Sequence, residues 1–314
     1  MKALLCVAFM FLIADAQMLT RTKVLMGTFA TISLEPVNKS YFAPAFSKLQ
    51  EVEDALSTYK NTTPIYKLNE NKNTTLTPLA YEALLLSKKY YEESEGYFNI
   101  AIGSVTKDLY KFGSDERVPS KEELLSSSTQ FEKIIITPEK AIIPNNIKVD
   151  LGGMGKGFGV DKAISFLKSK GVHRAQLGLS GDIRCLGICT IEIQDPFGSG
   201  VFAEFQTQKE EMGISTSGNY NRYVQNKSNN HLINPKTKAS QGNFASITLV
   251  SQLSNSDLDA YATAASVMPK EKAYAFLNAL ELAYIVVETD GKIVQSQNVE
   301  FYIRLHFLHQ GVKE

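Results

Sequence analysis

Five glycines lie within residues 152–159, with Lys156 among them, in the sequence VDLGGMGKGFGVDKA from Val149 to Ala163. Glycine has no Cβ atom, so a backbone this rich in glycine can approach a ligand closely. A strand, a glycine turn and a helix N-terminus in succession form a site for phosphate or another polyanion. A tight turn with close packing explains the same glycines equally well. The spacing matches neither G-x-x-x-x-G-K-[ST] nor G-x-G-x-x-G, so it does not indicate an ordinary nucleotide-binding motif.

A carboxylate and a hydroxyl share one face of a predicted helix that runs from about Leu258 to Met268. Asp259 and Thr263 are four residues apart and therefore project from the same side of that helix. Both are hard oxygen donors, which suit Mg²⁺ when water and substrate phosphates complete its shell. A helix cap at Ser256 or Asp257, with one solvated acid, is the simpler interpretation.

A hydroxyl-rich segment and a histidine follow each other along the chain. Residues 214–220 (ISTSGNY), followed by Arg222, offer donors to a phosphate or ribose, or form an ordinary Ser/Thr turn. His231 precedes a predicted strand-to-turn transition and could act as an acid or base near neutral pH. A lone histidine more often has a structural role.

Alternating helices and strands must position these residues, and this alternation predicts an α+β fold. We expect one large domain, because no Pro- or Gly-rich linker divides the chain. The predicted helices are 43–56, 78–91, a short helix capped by Ser120 and Glu123, 160–170, 258–268 and 271–279. The predicted strands are 26–34, 131–137, 141–144, 176–179, 183–186, 191–194, 201–206, 213–215, 245–250 and 283–288.

Charge and the N-terminal segment restrict the function class. The 33 Lys and Arg residues balance 33 Asp and Glu residues, which argues against nucleic-acid binding and against a membrane-surface protein. Residues 1–16 have the pattern of a signal peptide, with Lys2, a short apolar run and an Ala14-Asp15-Ala16 cleavage site. We therefore expect residues 17–314 to form a soluble, exported (periplasmic) domain without stable membrane insertion, since no later apolar run is long enough to span a bilayer.

Two cysteines, Cys185 and Cys189, remain after cleavage of this segment. Their spacing lacks further cysteine or histidine ligands nearby and does not indicate zinc. In an oxidising compartment they could bridge a tight hairpin, and two free buried thiols are the alternative.

Taken together, eight segments in this order resemble the ApbE family, flavin transferases also called FAD:protein FMN transferases. The resemblance covers about Met26 to Ala283 and implies a T-fold-related architecture of mixed sheets with packed helices. The segments are Met26-Gly27-Thr28, Leu56–Tyr59, Gly96–Asn99, Asp150–Gly157, Gly181-Asp182-Ile183, Ile214–Gly218, His231–Thr237 and Asp259–Ala264.

The resemblance implies a Mg²⁺-dependent reaction in which the FMN moiety of FAD passes to a threonine hydroxyl of an exported acceptor flavoprotein, with release of AMP. Such acceptors are subunits of respiratory or electron-transfer complexes. By resemblance, His231 and Asp259 are catalytic, and the metal ligands are Asp259, Thr263 and backbone oxygens of Gly155 and Ala262. The FAD-binding positions implied in the same way are Met26, Tyr59, Tyr97, Phe98, Asn99, Gly152, Lys156, Phe158 and Ile233.

Some positions depart from the family pattern. Asn99 and Asn234 stand where aspartate is usual, and Lys238 and Ser180 replace glycines. An asparagine keeps hydrogen bonding but loses negative charge and basicity. Two alternatives therefore stay open: an FAD pyrophosphatase that gives FMN and AMP, and a non-catalytic FAD-binding protein.

Overall fold

Antiparallel strands form the framework of the computed structural model, which describes residues 18–307. The predicted signal peptide, residues 1–16, lies outside this range. The strands are β1 (Leu19–Leu25), β2 (Thr28–Leu34), β3 (Asn73–Thr75), β4 (Ile135–Ile136), β5 (Lys140–Ile142), β6 (Ala175–Leu179), β7 (Asp182–Leu186), β8 (Thr190–Gln194), β9 (Val201–Thr207), β10 (Glu211–Gly218), β11 (Phe244–Ser251), β12 (Ala283–Glu288), β13 (Ile293–Gln295) and β14 (Ile303–Phe307).

Helices fill the longer connections between these strands. They are α1 (Phe42–Leu56), α2 (Pro64–Asn71), α3 (Pro78–Glu93), α4 (Gly103–Thr106), α5 (Lys121–Ser126), α6 (Gly155–Ser169), α7 (Asn255–Val267), α8 (Lys270–Asn278) and α9 (Val299–Tyr302). Short 3₁₀ helices occur at Pro36–Tyr41, Phe131–Lys133 and Lys227–Asn229. The α+β fold class is confirmed.

Three sheets organise the strands, and neighbouring strands run antiparallel in each of them. The large sheet has the order β1-β2-β6-β7-β10-β11-β12-β13. Two three-stranded sheets have the orders β14-β9-β8 and β3-β5-β4.

The large sheet lies between a helical layer and the β14-β9-β8 sheet. In β10, Met212 and Ile214 belong to the apolar cluster shared with Phe205 of β9. Gly213, between them in sequence, faces Leu258 of α7 on the opposite side. This alternation follows from the two-residue period of a strand. Both faces of the sheet are therefore covered near its centre, and α6 and α7 pack side by side on the helical face.

Predictions that depend on periodicity and local capping are confirmed. Predicted helix 43–56 is α1 (Phe42–Leu56), and predicted strand 283–288 is β12 with the same bounds. The Ser120 hydroxyl accepts from the Glu123 amide, and the Glu123 carboxylate accepts from the Ser120 amide, which completes the capping box at the start of α5.

Three predicted strands are wrong in part. The strand 26–34 is two strands, because Met26 and Gly27 form a turn with φ of 52° and 73° between β1 and β2. Residues 131–137 contain a 3₁₀ turn followed only by the two-residue β4. The strand expected directly before the glycine turn is absent: residues 146–151 make a single isolated bridge, Ile102↔Lys148, because they pass beside α4 rather than along a sheet.

Cys185 and Cys189 form a disulfide, with their Cα atoms 6.3 Å apart. Cys185 lies in β7 of the large sheet, and Cys189 directly precedes β8 of the smaller sheet. The bond therefore joins the two sheets at the start of β8. Of the two alternatives, the structure contains the disulfide and not the pair of free thiols.

None of the helices within residues 18–307 has both the length and the apolar content required to cross a bilayer.

Candidate active site

A cavity of about 700 Å³ lies where the glycine turn, the β1–β2 turn, the end of β10 and helix α7 meet. It brings together segments that are far apart in the chain. The predicted site residues that line it are Met26, Tyr97, Phe98, Asn99, Gly152, Lys156, His231, Ile233, Asp259 and Thr263.

The glycines serve mainly to bring α7 close to the glycine turn and to α6. A Cβ atom added at Gly153 would lie 2.9 Å from Cγ2 of Thr263. At Gly157 it would lie 2.1 Å from the carbonyl oxygen of Asn255 and 2.9 Å from the Cβ atom of Asp259. The Gly157 amide donates to the Asp259 carboxylate at 3.1 Å. Close packing therefore accounts for these two glycines, and it positions the carboxylate at the same time. Helix α6 begins at Gly155, earlier than the predicted start at Val160.

Gly157→Ala is expected to destabilise the protein by about 2–3 kcal/mol, because the backbone carbonyl of Asn255 has to move away from the new methyl group. Gly155→Ala is the matched control in the same helix, since its Cβ would meet nothing nearer than 3.9 Å. Urea unfolding of both variants measures the difference. Equal stability of the two variants would contradict the packing argument.

Lys156 joins two buried carboxylates at the floor of the cavity. Its Nζ lies 3.1 Å from Oδ2 of Asp182 and 3.3 Å from Oδ2 of Asp259. Burial alone would lower the pKa of Lys156, but the two carboxylates raise it above its ordinary value. Burial, together with the nearby charge of Asp259, raises the pKa of Asp182 above its ordinary value, and the Lys156 ammonium opposes that shift. Lys156 is therefore a permanent cation at this position.

Hard oxygen atoms cluster beside this lysine. The Thr263 hydroxyl donates to the carbonyl oxygen of Gly153 at 3.2 Å, one helical turn from Asp259. Gly155 and Ala262, whose carbonyls were predicted as ligands, are not among the residues that line the cavity. Both lie inside helices, where carbonyls normally accept from the amide four residues further on. Gly153, not Gly155, is the glycine whose carbonyl lies against Thr263.

His231 lies at the cavity with one ring nitrogen engaged by the backbone. Its Nδ1 is 3.1 Å from the carbonyl oxygen of Arg222. A carbonyl can only accept, so Nδ1 carries the proton and Nε2 of the neutral ring has a free lone pair. Burial, and then the positive charge of Arg222, lowers the pKa of His231 to about 4. The imidazole is thus a neutral proton acceptor at pH 7.

We expect His231 to remain neutral from pH 8 down to about pH 5 and to gain a proton only as the pH falls through about 4. Removing the nearby cation with Arg222→Met favours the protonated ring and should raise this pKa toward its ordinary value. NMR titration of the histidine Cε1 protons, assigned with His231→Gln, measures both values. A His231 signal that titrates near 6.5 in the unaltered protein would refute the expectation.

Two of the predicted FAD contacts lie elsewhere. Phe158 is fully buried in the core beside α3, under the Lys162 ammonium, and does not line the cavity. The helix that begins at Gly155 turns this side chain away from the cavity, and an FAD contact at Phe158 stays a prediction. Tyr59 is 55% exposed and also lies outside the lining. Its hydroxyl donates to the Phe112 carbonyl at 2.9 Å and accepts from Arg222 at 3.3 Å.

The model of the ApbE family matches residues 26–286 of the sequence. The chain belongs to the ApbE family. An FAD:protein FMN transferase from Vibrio cholerae is 27% identical over 262 residues, which cover 77% of this chain and 78% of that protein. An FAD:protein FMN transferase from Haemophilus influenzae is 28% identical over 278 residues, which cover 81% and 80%.

Solved ApbE structures have the same fold. The flavin transferase ApbE from Vibrio cholerae superposes with a TM-score of 0.78 at 23% identity, covering 91% of this chain and 99% of that one. The ApbE protein from Thermotoga maritima gives a TM-score of 0.83 at 20% identity, covering 92% and 100%. At these identities the likeness shows the fold alone. The predicted ApbE resemblance and the prediction of a transferase are confirmed.

The two asparagines that depart from the ApbE pattern have backbone partners. Asn99 donates from Nδ2 to the Thr129 carbonyl at 2.8 Å, and Oδ1 accepts from the Ala101 amide at 2.9 Å. Asn234 donates from Nδ2 to the Val267 carbonyl at 2.7 Å, and Oδ1 accepts from the Lys236 amide at 2.8 Å. An ionised aspartate could not donate to either carbonyl. Both amides therefore hold backbone in place.

Asp182 is a charged residue next to this ApbE site to which the sequence assigned no individual role. Asp182 stands in the Gly181-Asp182-Ile183 segment, and Arg222, which lines the cavity, follows the hydroxyl-rich segment after Asn221. The only local signal for Asp182 is an aspartate after a turn at the start of a strand. Its proximity to Lys156 comes from the packing of β7 against α6, which local pattern does not reveal.

Proposed function

We propose that this chain is an exported, Mg²⁺-dependent FAD:protein FMN transferase. It would pass the FMN moiety of FAD to a threonine hydroxyl of an acceptor flavoprotein and release AMP. The observation that carries the proposal is the shared cavity, in which Lys156, Asp259 and Thr263 face the same space as the neutral His231. The names of the curated relatives support the same reaction class.

The donor set fits Mg²⁺. One buried carboxylate, one hydroxyl and one backbone carbonyl, from Asp259, Thr263 and Gly153, are hard oxygens close together. Within residues 18–307 no group of three or more His, Cys, Asp or Glu side chains could form an all-protein metal cage. Mg²⁺ is usually held by one or two carboxylates, with water and substrate phosphates completing its shell. The bound metal would neutralise charge at the FAD pyrophosphate.

The protein's own groups would complete the reaction. Phosphoryl transfer depends mainly on positioning and on charge stabilisation. The Lys156 ammonium and the Arg222 guanidinium both line the cavity and would hold phosphate oxygens. His231 Nε2 would accept the proton of the threonine hydroxyl as its oxygen bonds to the FMN phosphorus. The bond from that phosphorus to the bridging oxygen breaks, and the electron pair leaves on AMP.

Apolar and aromatic side chains of the cavity would hold the rings of FAD. Met26, Tyr97, Phe98 and Ile233 line the same space, and the Lys236 ammonium lies 4.1 Å from the centre of the Tyr97 ring. Gly152 and Asn99 would contribute backbone and amide contacts. Tyr59 would act indirectly, through its hydrogen bond with the Arg222 side chain.

The acceptor would be an exported protein with an accessible threonine, such as a subunit of a respiratory or electron-transfer complex. Residues 1–16 would act as the signal peptide that brings this enzyme, as residues 17–314, to the same compartment. The balanced charge of the chain gives no support to a nucleic-acid partner.

Mass spectrometry tests the proposal. Residues 17–314 are incubated with FAD, Mg²⁺ and a flavin-accepting subunit of such a complex, beside the same subunit with its acceptor threonine changed to valine. The expected result is a mass gain of one FMN phosphoester on the threonine form alone, lost with EDTA. AMP release without labelling would favour the pyrophosphatase, and FAD binding with neither product would favour a flavin-binding protein.

A further inference from the structure

Asp182 is a buried carboxylate that does not reach the ligand space. It is 2% exposed and is absent from the residues that line the cavity. Its Oδ1 accepts from the Ser215 hydroxyl at 2.6 Å, and its Oδ2 lies 3.1 Å from Nζ of Lys156. Both oxygens are thus engaged by the protein itself. A role for Asp182 has to act through Lys156.

The Lys156 ammonium forms ion pairs with both Asp182 and Asp259. Its Nζ lies 3.5 and 3.3 Å from the two carboxylate oxygens of Asp259, both longer than the 3.1 Å contact with Asp182. Its side chain is 29% exposed and lines the cavity, so the ammonium borders open space. Asp259 also lines the cavity and can therefore reach a bound ion.

A cation that binds Asp259 meets the Lys156 ammonium as a like charge. Two cations at one carboxylate repel each other strongly where both are partly buried. With Asp182 present, Lys156 keeps a buried carboxylate partner when it leaves Asp259. Without that charge, Asp259 would be the only carboxylate paired with the ammonium within residues 18–307, and metal binding would have to break the pair.

We propose that Asp182 is a positioning residue that retains the Lys156 ammonium, so that Asp259 can exchange this resident cation for a divalent metal ion. The inference rests on the metal site of the proposed function. It assigns Asp182 to the ion exchange and not to contact with FAD, with the metal or with the acceptor.

Metal binding in the absence of FAD measures this role directly. Mn²⁺ is the probe, and its dissociation constant for residues 17–314 is determined by electron paramagnetic resonance of the free ion. We expect Asp182→Asn to raise the dissociation constant at least about tenfold, the order expected when a charge-assisted contact is lost. Adding Lys156→Gln to that variant should restore it to within about threefold of the unaltered protein, because the competing cation is gone.

Two further variants separate this role from a loss of folding or of general charge. Glu211→Gln removes a carboxylate that binds Arg184 outside the cavity and should leave Mn²⁺ binding unchanged. Lys156→Gln alone should bind Mn²⁺ at least as tightly as the unaltered protein, and this holds even if Asp182→Asn does not fold.

Equal Mn²⁺ binding by Asp182→Asn and the unaltered protein, or weaker binding by Lys156→Gln alone, would overturn the inference and leave the transferase proposal standing. No Mn²⁺ binding by the unaltered protein would overturn the metal site itself, and the inference with it.

Discussion

Asp259→Asn is expected to lower the rate of FMN transfer about a thousandfold, or roughly 4 kcal/mol in the barrier. The amide has the same shape and can still accept from the Gly157 amide, so the approach of α7 to α6 is preserved. What is lost is the anionic oxygen that faces the cavity beside Thr263. Transfer rates at saturating FAD and acceptor, over a Mg²⁺ series, measure the effect.

Asp257→Asn is the matched control for this variant. Asp257 lies in the same helix, two residues earlier, but its carboxylate pairs with Lys89 at 2.8 Å and lies outside the cavity. Its substitution should change stability slightly and leave the Mg²⁺ dependence intact. Undiminished Mg²⁺-dependent turnover by Asp259→Asn would exclude Asp259 from the metal site.

His231→Gln is expected to slow transfer by about a hundredfold to ten-thousandfold, the range usual for a lost general base, while FAD affinity changes by less than about threefold. A glutamine amide can still donate toward the Arg222 carbonyl, but it offers no basic nitrogen to the acceptor hydroxyl. Single-turnover transfer rates and FAD titration by fluorescence measure the two quantities separately.

His173→Gln provides the control for the histidine variant, because His173 is exposed and lies outside the cavity. This variant should leave the transfer rate and the FAD affinity unchanged. If His231→Gln weakened FAD binding as much as it slowed transfer, His231 would be a binding residue and not a base.

Helices and strands that depend on neighbours in sequence were predictable. The capping box at Ser120, the apolar period of α1 and the β-branched run of β12 each use contacts within a few residues. The i, i+4 relation of Asp259 and Thr263 is of the same kind, because a helix alone brings the two side chains to one face. Such features need no knowledge of the rest of the molecule.

Features that depend on a distant partner were missed or mistaken. The Met26-Gly27 turn interrupts an apolar run, and the Met26 amide donates to Glu53 of α1, which a local pattern cannot indicate. Phe158 was predicted as a ligand contact because it stands within the glycine motif. Its direction depends on where α6 begins, and that helix begins at Gly155, before Phe158.

The sequence by itself determined the family, the α+β class and ten of the residues that line the cavity, because residue types and their order along the chain carry that information. The tertiary structure alone decided which charges touch. Lys156 and Asp259 are 103 residues apart, and they meet because glycines at 153 and 157 let α7 approach the glycine turn and α6. Asp182 joins them only through the packing of β7 beneath α6. The energy of interaction between two charges depends on the distance between them in space, and their spacing in the sequence does not reveal that distance.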